Sequence, residues 1–166
     1  MSTLSLFQSP TRELVDSTDL QNTPRDLALD LGWFDVDVCT NPAAHILARR
    51  KVMLELGQDG RTDDWTHDGA AGLVWCNGEY SNPLPWCERL RAHRGPWASL
   101  WKLDTTTTWW RELMASGATW APFRERIGFE RAGQTAKANF VSVLVWKDWQ
   151  PSAAVLSRLW KPRSEQ

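Results

Sequence analysis

Leu73-Val74-Trp75-Cys76-Asn77-Gly78-Glu79-Tyr80-Ser81-Asn82-Pro83 is the stretch on which the reading of the whole chain turns. Apolar residues and a cysteine lead into a polar turn that holds the only tyrosine of the chain. A buried run that stops abruptly at Asn-Gly reads as a parallel strand reaching its carboxyl end, which is where open α/β sheets hold their ligands. An amide, a flexible glycine, a carboxylate and an aromatic ring follow within four residues, and together they predict a site at that turn.

Upstream, Thr23-Pro24-Arg25-Asp26 has the form of a helix start. Thr23 suits the cap, Pro24 the first helical position and Asp26 the third residue after the cap, with Gly32 ending the helix. An ordinary helix start explains all of this without function. Trp33 through Cys39 then alternates with period two, placing Phe34, Val36 and Val38 on one face and Asp35 and Asp37 on the other. A solvated edge strand and a strand end where Asp37 holds a polar ligand both fit. Asn41-Pro42 reads as the cap and first residue of a helix over Ala43–Leu54. Gly57–Gly72 is a long loop rich in Gly, Asp and Thr, either solvated surface or the border of a pocket.

Downstream, Asn82-Pro83 opens a helix to about His93, with Trp86, Cys87 and Leu90 on one side and Arg89, Arg91, His93 and Arg94 elsewhere. That basic cluster is a solvated helix face or, with Arg89, a candidate for phosphate contacts. Ser99–Leu103 reads as a strand and Trp109–Met114 as a helix. Ala118–Phe123, Arg126–Phe129 and Asn139–Trp146 are β-like, and Trp149–Trp160 is a closing helix. Residues 1–21 read as a loose arm with a short helical piece near Thr11–Val15, residues 22–160 as one domain, and Lys161–Gln166 as a frayed tail. Strand and helix patterns alternate through most of the chain. They predict an α/β fold with a mainly parallel sheet flanked by helices and some antiparallel strands near the C-terminus.

A chain of 166 residues suits a single domain, and 42% hydrophobic with 23% charged residues excludes a disordered one. Twelve tryptophans stand against one tyrosine; most are expected in the core or on a pocket rim, and a minority as platforms for a flat ligand or a base. The net charge of -1 gives no bulk attraction to nucleic acid, so any such binding needs a local patch. Cys39, Cys76 and Cys87 lack metal-ligand spacing and read as reduced thiols, with no metal site expected. No run of 18 apolar residues and no basic-then-apolar N-terminus occur, which predicts an intracellular protein with no membrane association.

Taken in order, Thr23-Pro24, Phe34–Cys39, Asp59-Gly60 with Asp64-Trp65, Trp75–Ser81 with Trp86, Leu103 through Trp110, Arg126–Phe129 and Ser142–Trp146 form a set. Each motif alone is weak, but the ordered set resembles the phage-type DNA adenine methyltransferases, the small Dam-like family of phages and prophages, over residues 21–147. The resemblance implies a Rossmann-like methyltransferase fold, S-adenosylmethionine as cofactor and double-stranded DNA as partner. It further implies a monomer or weak dimer in the cytoplasm of a bacterial host, and methyl transfer to the exocyclic amine of adenine.

In that family the turn after the strand normally reads Asn-Pro-Pro-Tyr. Carried over residue by residue, Asn77 accepts a hydrogen of the amine, the Gly78 carbonyl takes the second, and Tyr80 stacks on the flipped base. Gly78 and Glu79 stand where two prolines are expected, and glycine loosens a turn that proline would hold rigid. Glu79 places a carboxylate beside the target, where it assists deprotonation or points to water. For the cofactor, the likeness places Thr23 and Pro24 at the methionine end, Asp37 and Cys39 on the strand that begins the site, and Asp59 on the next loop. The usual Gly-rich turn after Asp37 is absent. Arg124 and Arg126 match a Gly-Arg segment of the family, touching phosphate or supporting the sheet. Target reading falls to loops such as Gly57–Gly72 and Arg124–Lys137, with Arg89 and Lys137 as further DNA contacts. Two alternatives stay open: a non-catalytic nucleic-acid-binding protein on the same scaffold, and a methyltransferase with a changed nucleic-acid substrate.

Overall fold

The strand leading into Asn77 is short and central. In the computed structural model, which describes residues 22–131, 134–161 and 163–164, β3 (Val74–Cys76) has all three residues buried. It lies between β1 (Trp33–Thr40) and β4 (Trp97–Lys102), parallel to both. β2 (Leu47–Met53) pairs parallel to β1 on the outer side. On the other side β8 (Ser142–Lys147) runs antiparallel to β4 and to β5 (Thr119–Pro122), and the two-residue β9 (Arg163–Ser164) runs antiparallel to β5. The sheet order is β2-β1-β3-β4-β8-β5-β9. Because β8 opposes both its neighbours, β2, β1, β3, β4 and β5 share one direction, and only β8 and β9 oppose it. This is the mainly parallel α/β sheet, with antiparallel strands near the C-terminus, that the sequence predicts.

Helices cover both faces. α1 (Arg25–Leu31) and α4 (Ala153–Arg158) place Leu27, Leu31 and Val155 in a core with Trp75, Leu100, Leu144 and Trp146. α2 (Leu84–Ala92) and α3 (Thr108–Met114) place Trp86, Leu90, Trp110 and Leu113 in the opposite core with Val36, Val74, Trp97 and Trp101. Seven of the twelve tryptophans are buried, so core filling is the main use of this residue. The hairpin β6 (Gly128–Arg131) and β7 (Gln134–Lys137) stands apart from the main sheet. Among the described residues no helix is long and apolar enough to cross a membrane.

Several local expectations are corrected. Ala43–Leu54 does not form a helix: residues 41–46 form a short crossover, Leu47–Met53 is β2, and Leu54–Leu56 is a single 3-10 turn. Its Leu, Ala, Arg, Lys and Met residues favour a helix intrinsically, and pairing with the open edge of β1 overrides that preference. Asn41 Oδ1 accepts from Ala43 N at 2.9 Å, so the expected cap closes a turn that no helix follows. Thr23 does not cap α1; Pro24 holds that position without a side-chain hydrogen bond, and Thr23 is turned inward and buried. Phe34 parts company with Val36 and Val38. The amides of Asp35 and Val36 both donate to the Leu73 carbonyl, at 2.8 and 3.2 Å, an irregularity that breaks the alternation. Phe34 consequently packs on Trp75 at 5.3 Å between ring centroids, while Val36 and Val38 lie in the other core. Arg163–Ser164, expected as part of a frayed tail, pairs with β5. The arm over residues 1–21 lies outside the described residues.

Candidate active site

The carboxyl ends of β1, β2 and β3 open on one small cavity of about 60 Å³. Asp37, Cys39 and Thr40 reach it from β1, Leu54 and Glu55 from the turn after β2, and Asn77 and Glu79 from the turn after β3; Asn22 and Thr23 close it from the segment before α1. Four segments distant in sequence thus meet where an open α/β sheet holds ligands. Asn77 Nδ2 donates to Thr23 Oγ1 at 3.4 Å, so inward-facing Thr23 orients the amide. Asn41 Nδ2 donates to Asn22 Oδ1 at 2.6 Å, and Asn22 exchanges backbone hydrogen bonds with Glu130 at 2.8 and 3.0 Å. Neither Asn22 nor Asn41 was marked by a motif in this role; their contact spans 19 residues and has no local signature.

Asp37 is buried, and burial pushes its carboxyl up to about 7, outweighing the nearby Thr40 hydroxyl, the Cys39 amide and the Lys51 charge. Thr40 Oγ1 is buried at the cavity beside the Asp37 carboxyl.

Gly78 and Glu79 are each held by a tertiary contact. A Cβ built on Gly78 would lie 2.7 Å from the Trp86 ring, so the ring of α2 fills the space a side chain would take. Arg61 Nη1 donates to Glu79 Oε2 at 3.2 Å, and the same guanidinium is gripped by both oxygens of Asp59, at 2.9 and 2.8 Å. Asp59 therefore stands behind the cavity wall as the anchor of Arg61. Gly60 lets the loop approach β1 closely, since a Cβ there would lie 1.9 Å from the Val38 carbonyl oxygen. Trp65 Nε1 donates to the Gly60 carbonyl at 2.7 Å. The acidic loop is thus strapped to the sheet.

Tyr80 faces a second, wider cavity of about 540 Å³, which it lines with Lys102, Lys137, Asn139 and Phe140. Its hydroxyl donates to the Leu100 carbonyl at 3.4 Å, and its ring packs near Trp101, Phe129 and Phe140. Burial raises the phenol above its ordinary range, so it stays neutral. Phe140 and Lys102 are additions that sequence reasoning missed; both come from segments read only as strands.

The other basic residues are dispersed. Arg89 lies over the Trp65 ring at 4.5 Å, and its pKa is lowered by burial against the opposing pull of Asp64, Asp63 and Asp59. Arg124 Nε donates to the Leu159 carbonyl at 2.8 Å, and Arg126 Nη1 to the Ala138 carbonyl at 3.3 Å. Both line a third cavity of about 700 Å³ with Asp26, Glu130 and Arg158, where charges of both signs mix. Pro24 lines this third cavity and is absent from the wall of the small one. Lys137, exposed on β7, is the one of these four basic residues that borders the Tyr80 cavity.

The family model for DNA N-6-adenine-methyltransferase (Dam) matches residues 10–165. Comparison with curated proteins and with solved structures gave no match. The family match spans nearly the whole sequence and takes in every strand end that contributes to the cavities above, and on it the chain belongs to the DNA N-6-adenine-methyltransferase family.

Proposed function

We propose that the chain is an S-adenosylmethionine-dependent methyltransferase acting on the exocyclic amine of adenine in double-stranded DNA. The observation that carries this reading is the small cavity, which gathers Thr23, Asp37, Cys39, Asn77 and Glu79. Its lining suits the cofactor. Asp37, Glu55 and Glu79 are partners for an ammonium or hydroxyl groups, Thr40 adds a buried hydroxyl, and Ile46, Leu54 and Trp75 supply apolar wall. At about 60 Å³ the cavity is far smaller than the roughly 300–1,000 Å³ of small-molecule sites, so binding displaces part of the wall. The side formed by half-buried Leu54 and exposed Glu55 is the more exposed one.

When bound, S-adenosylmethionine supplies an electrophilic methyl group. The chain's own part is to make the adenine amine nucleophilic. That amine is a poor nucleophile because its lone pair is delocalised into the ring. The Asn77 side-chain oxygen and the Gly78 carbonyl accept its two hydrogens and favour a pyramidal nitrogen. Thr23 Oγ1 engages the amide nitrogen of Asn77 and so leaves the oxygen for the substrate. The flipped base enters the wider cavity against Tyr80, where stacking contributes about 1–3 kcal/mol. Lys102 and Lys137 at its rim supply local positive charge for the strand.

Asn77→Ala is expected to lower transfer of labelled methyl to DNA by roughly 100-fold or more while S-adenosylmethionine still binds in calorimetry. Undiminished transfer in that variant would remove Asn77 from the site. Absence of cofactor binding by the parent chain would favour a non-catalytic nucleic-acid-binding protein on this scaffold.

A further inference from the structure

We infer that Glu79 gives the cavity a preference for the charged methyl donor over its uncharged demethylated product, and is thus a specificity-determining residue for the cofactor. The inference rests on the S-adenosylmethionine reading above. The donor carries a positive charge on sulfur at its reacting end, and S-adenosylhomocysteine, having lost the methyl group, does not. Among the described residues no lysine or arginine lines the small cavity, whereas three carboxylic acids do: Asp37, Glu55 and Glu79.

The three are not equivalent. Asp37 lies deep, and burial pushes its carboxyl up to about 7, so near neutral pH it carries only part of a charge. Glu55 sits on an exposed turn, where water screens it. Glu79 lies two residues beyond Asn77, in the turn that must present the reacting amine, and its side chain is 13% exposed. It is therefore the carboxylate held close to the chemistry and shielded from solvent.

Its ion pair with Arg61 does not cancel that charge. Arg61 is gripped by both oxygens of Asp59 at 2.8 and 2.9 Å and reaches Glu79 with a single nitrogen at 3.2 Å. One guanidinium thus serves two carboxylates, and the Asp59–Arg61–Glu79 group is left with a formal charge of -1. Arg61 acts as a positioning residue: it fixes Glu79 at the wall without neutralising the group. In a partly buried setting, a single carboxylate within several ångströms of a cation discriminates it from a neutral analogue by roughly tenfold or more.

Titration calorimetry on the full chain tests this with three ligands: S-adenosylmethionine, S-adenosylhomocysteine and sinefungin, which replaces the sulfonium by a protonated amine and transfers nothing. The parent protein should bind the two cationic ligands roughly tenfold more tightly than S-adenosylhomocysteine. In Glu79→Gln, which keeps the side-chain volume and can still accept from Arg61, the ratio should collapse towards one with S-adenosylhomocysteine affinity little changed. An unchanged ratio in Glu79→Gln, or equal binding of all three ligands by the parent, would overturn the inference. Binding of all three with an insensitive ratio would do so while leaving the cofactor reading intact; binding of none would sink both.

Discussion

Asp37 sits where its charge is disfavoured: at the end of β1, almost wholly out of solvent, with its carboxyl pushed up to about 7 by burial. In the unfolded chain the same group ionises near its ordinary value of 3.8. Between those two points the folded protein holds a proton that the unfolded chain has released. Raising the pH therefore favours unfolding across that window, by up to ~1.4 kcal/mol per pH unit, and the effect levels off above about pH 7. Asp37→Asn cannot ionise. The difference in unfolding free energy between parent and variant, from urea melts between pH 4 and 8, should move in the variant's favour as pH rises to about 7 and then stay constant. A difference that is flat across the range would show that Asp37 is ionised in the folded state. At this scale the sequence was informative wherever a residue type announced its chemistry. Thr23, Asp37, Cys39, Asn77 and Glu79 were candidates from the order of motifs, and they line one cavity. The partners that fix them are separated by 18 residues for Arg61 and Glu79 and 54 for Thr23 and Asn77, and no local pattern encodes such pairings.

The turn after β3 is an element whose shape is set by its neighbour. Proline would hold such a turn through its own ring; here Gly78 lies flush on Trp86, itself buried on α2, and Glu79 is tied to the Asp59–Asp64 loop through Arg61. Gly78→Ala should therefore destabilise the protein by roughly 1–3 kcal/mol, because the new methyl group meets a ring with nowhere to go. In a Trp86→Leu background the same change should cost clearly less, and a double-mutant cycle from chemical denaturation measures the coupling. Additive effects would mean that the overlap with Trp86 is not the cause. Elements also mark where pattern reading loses its hold. The strand β2 was read as a helix because Leu47–Met53 contains good helix formers, and only the open edge of β1 makes it a strand. Strands with β-branched and aromatic residues, such as β8, were recognised directly.

At the scale of the molecule, the alternation of strand and helix was enough to predict an α/β sheet, but the spatial order of the strands was not legible. Nothing local in Ser142–Lys147 says that this strand runs reversed and inserts between β4 and β5. What decides it is complementarity along its length: Val143 and Val145 enter one core while Leu144 and Trp146 enter the other, so the strand fits only a slot buried on both faces. That placement has a consequence for synthesis. A nascent chain that has emerged only as far as residue 141 carries β4 with one edge unpaired, and it carries β5 with no neighbour in the sheet other than the two-residue β9 still to come. The ribosome must therefore deliver the chain through Lys147 before the sheet can close, and in that interval an apolar edge is open to other chains. A fragment ending at residue 141 should aggregate or remain unfolded, whereas the full chain unfolds cooperatively. A soluble fragment with a cooperative melt would show that β8 is a late addition and not the keystone of the sheet.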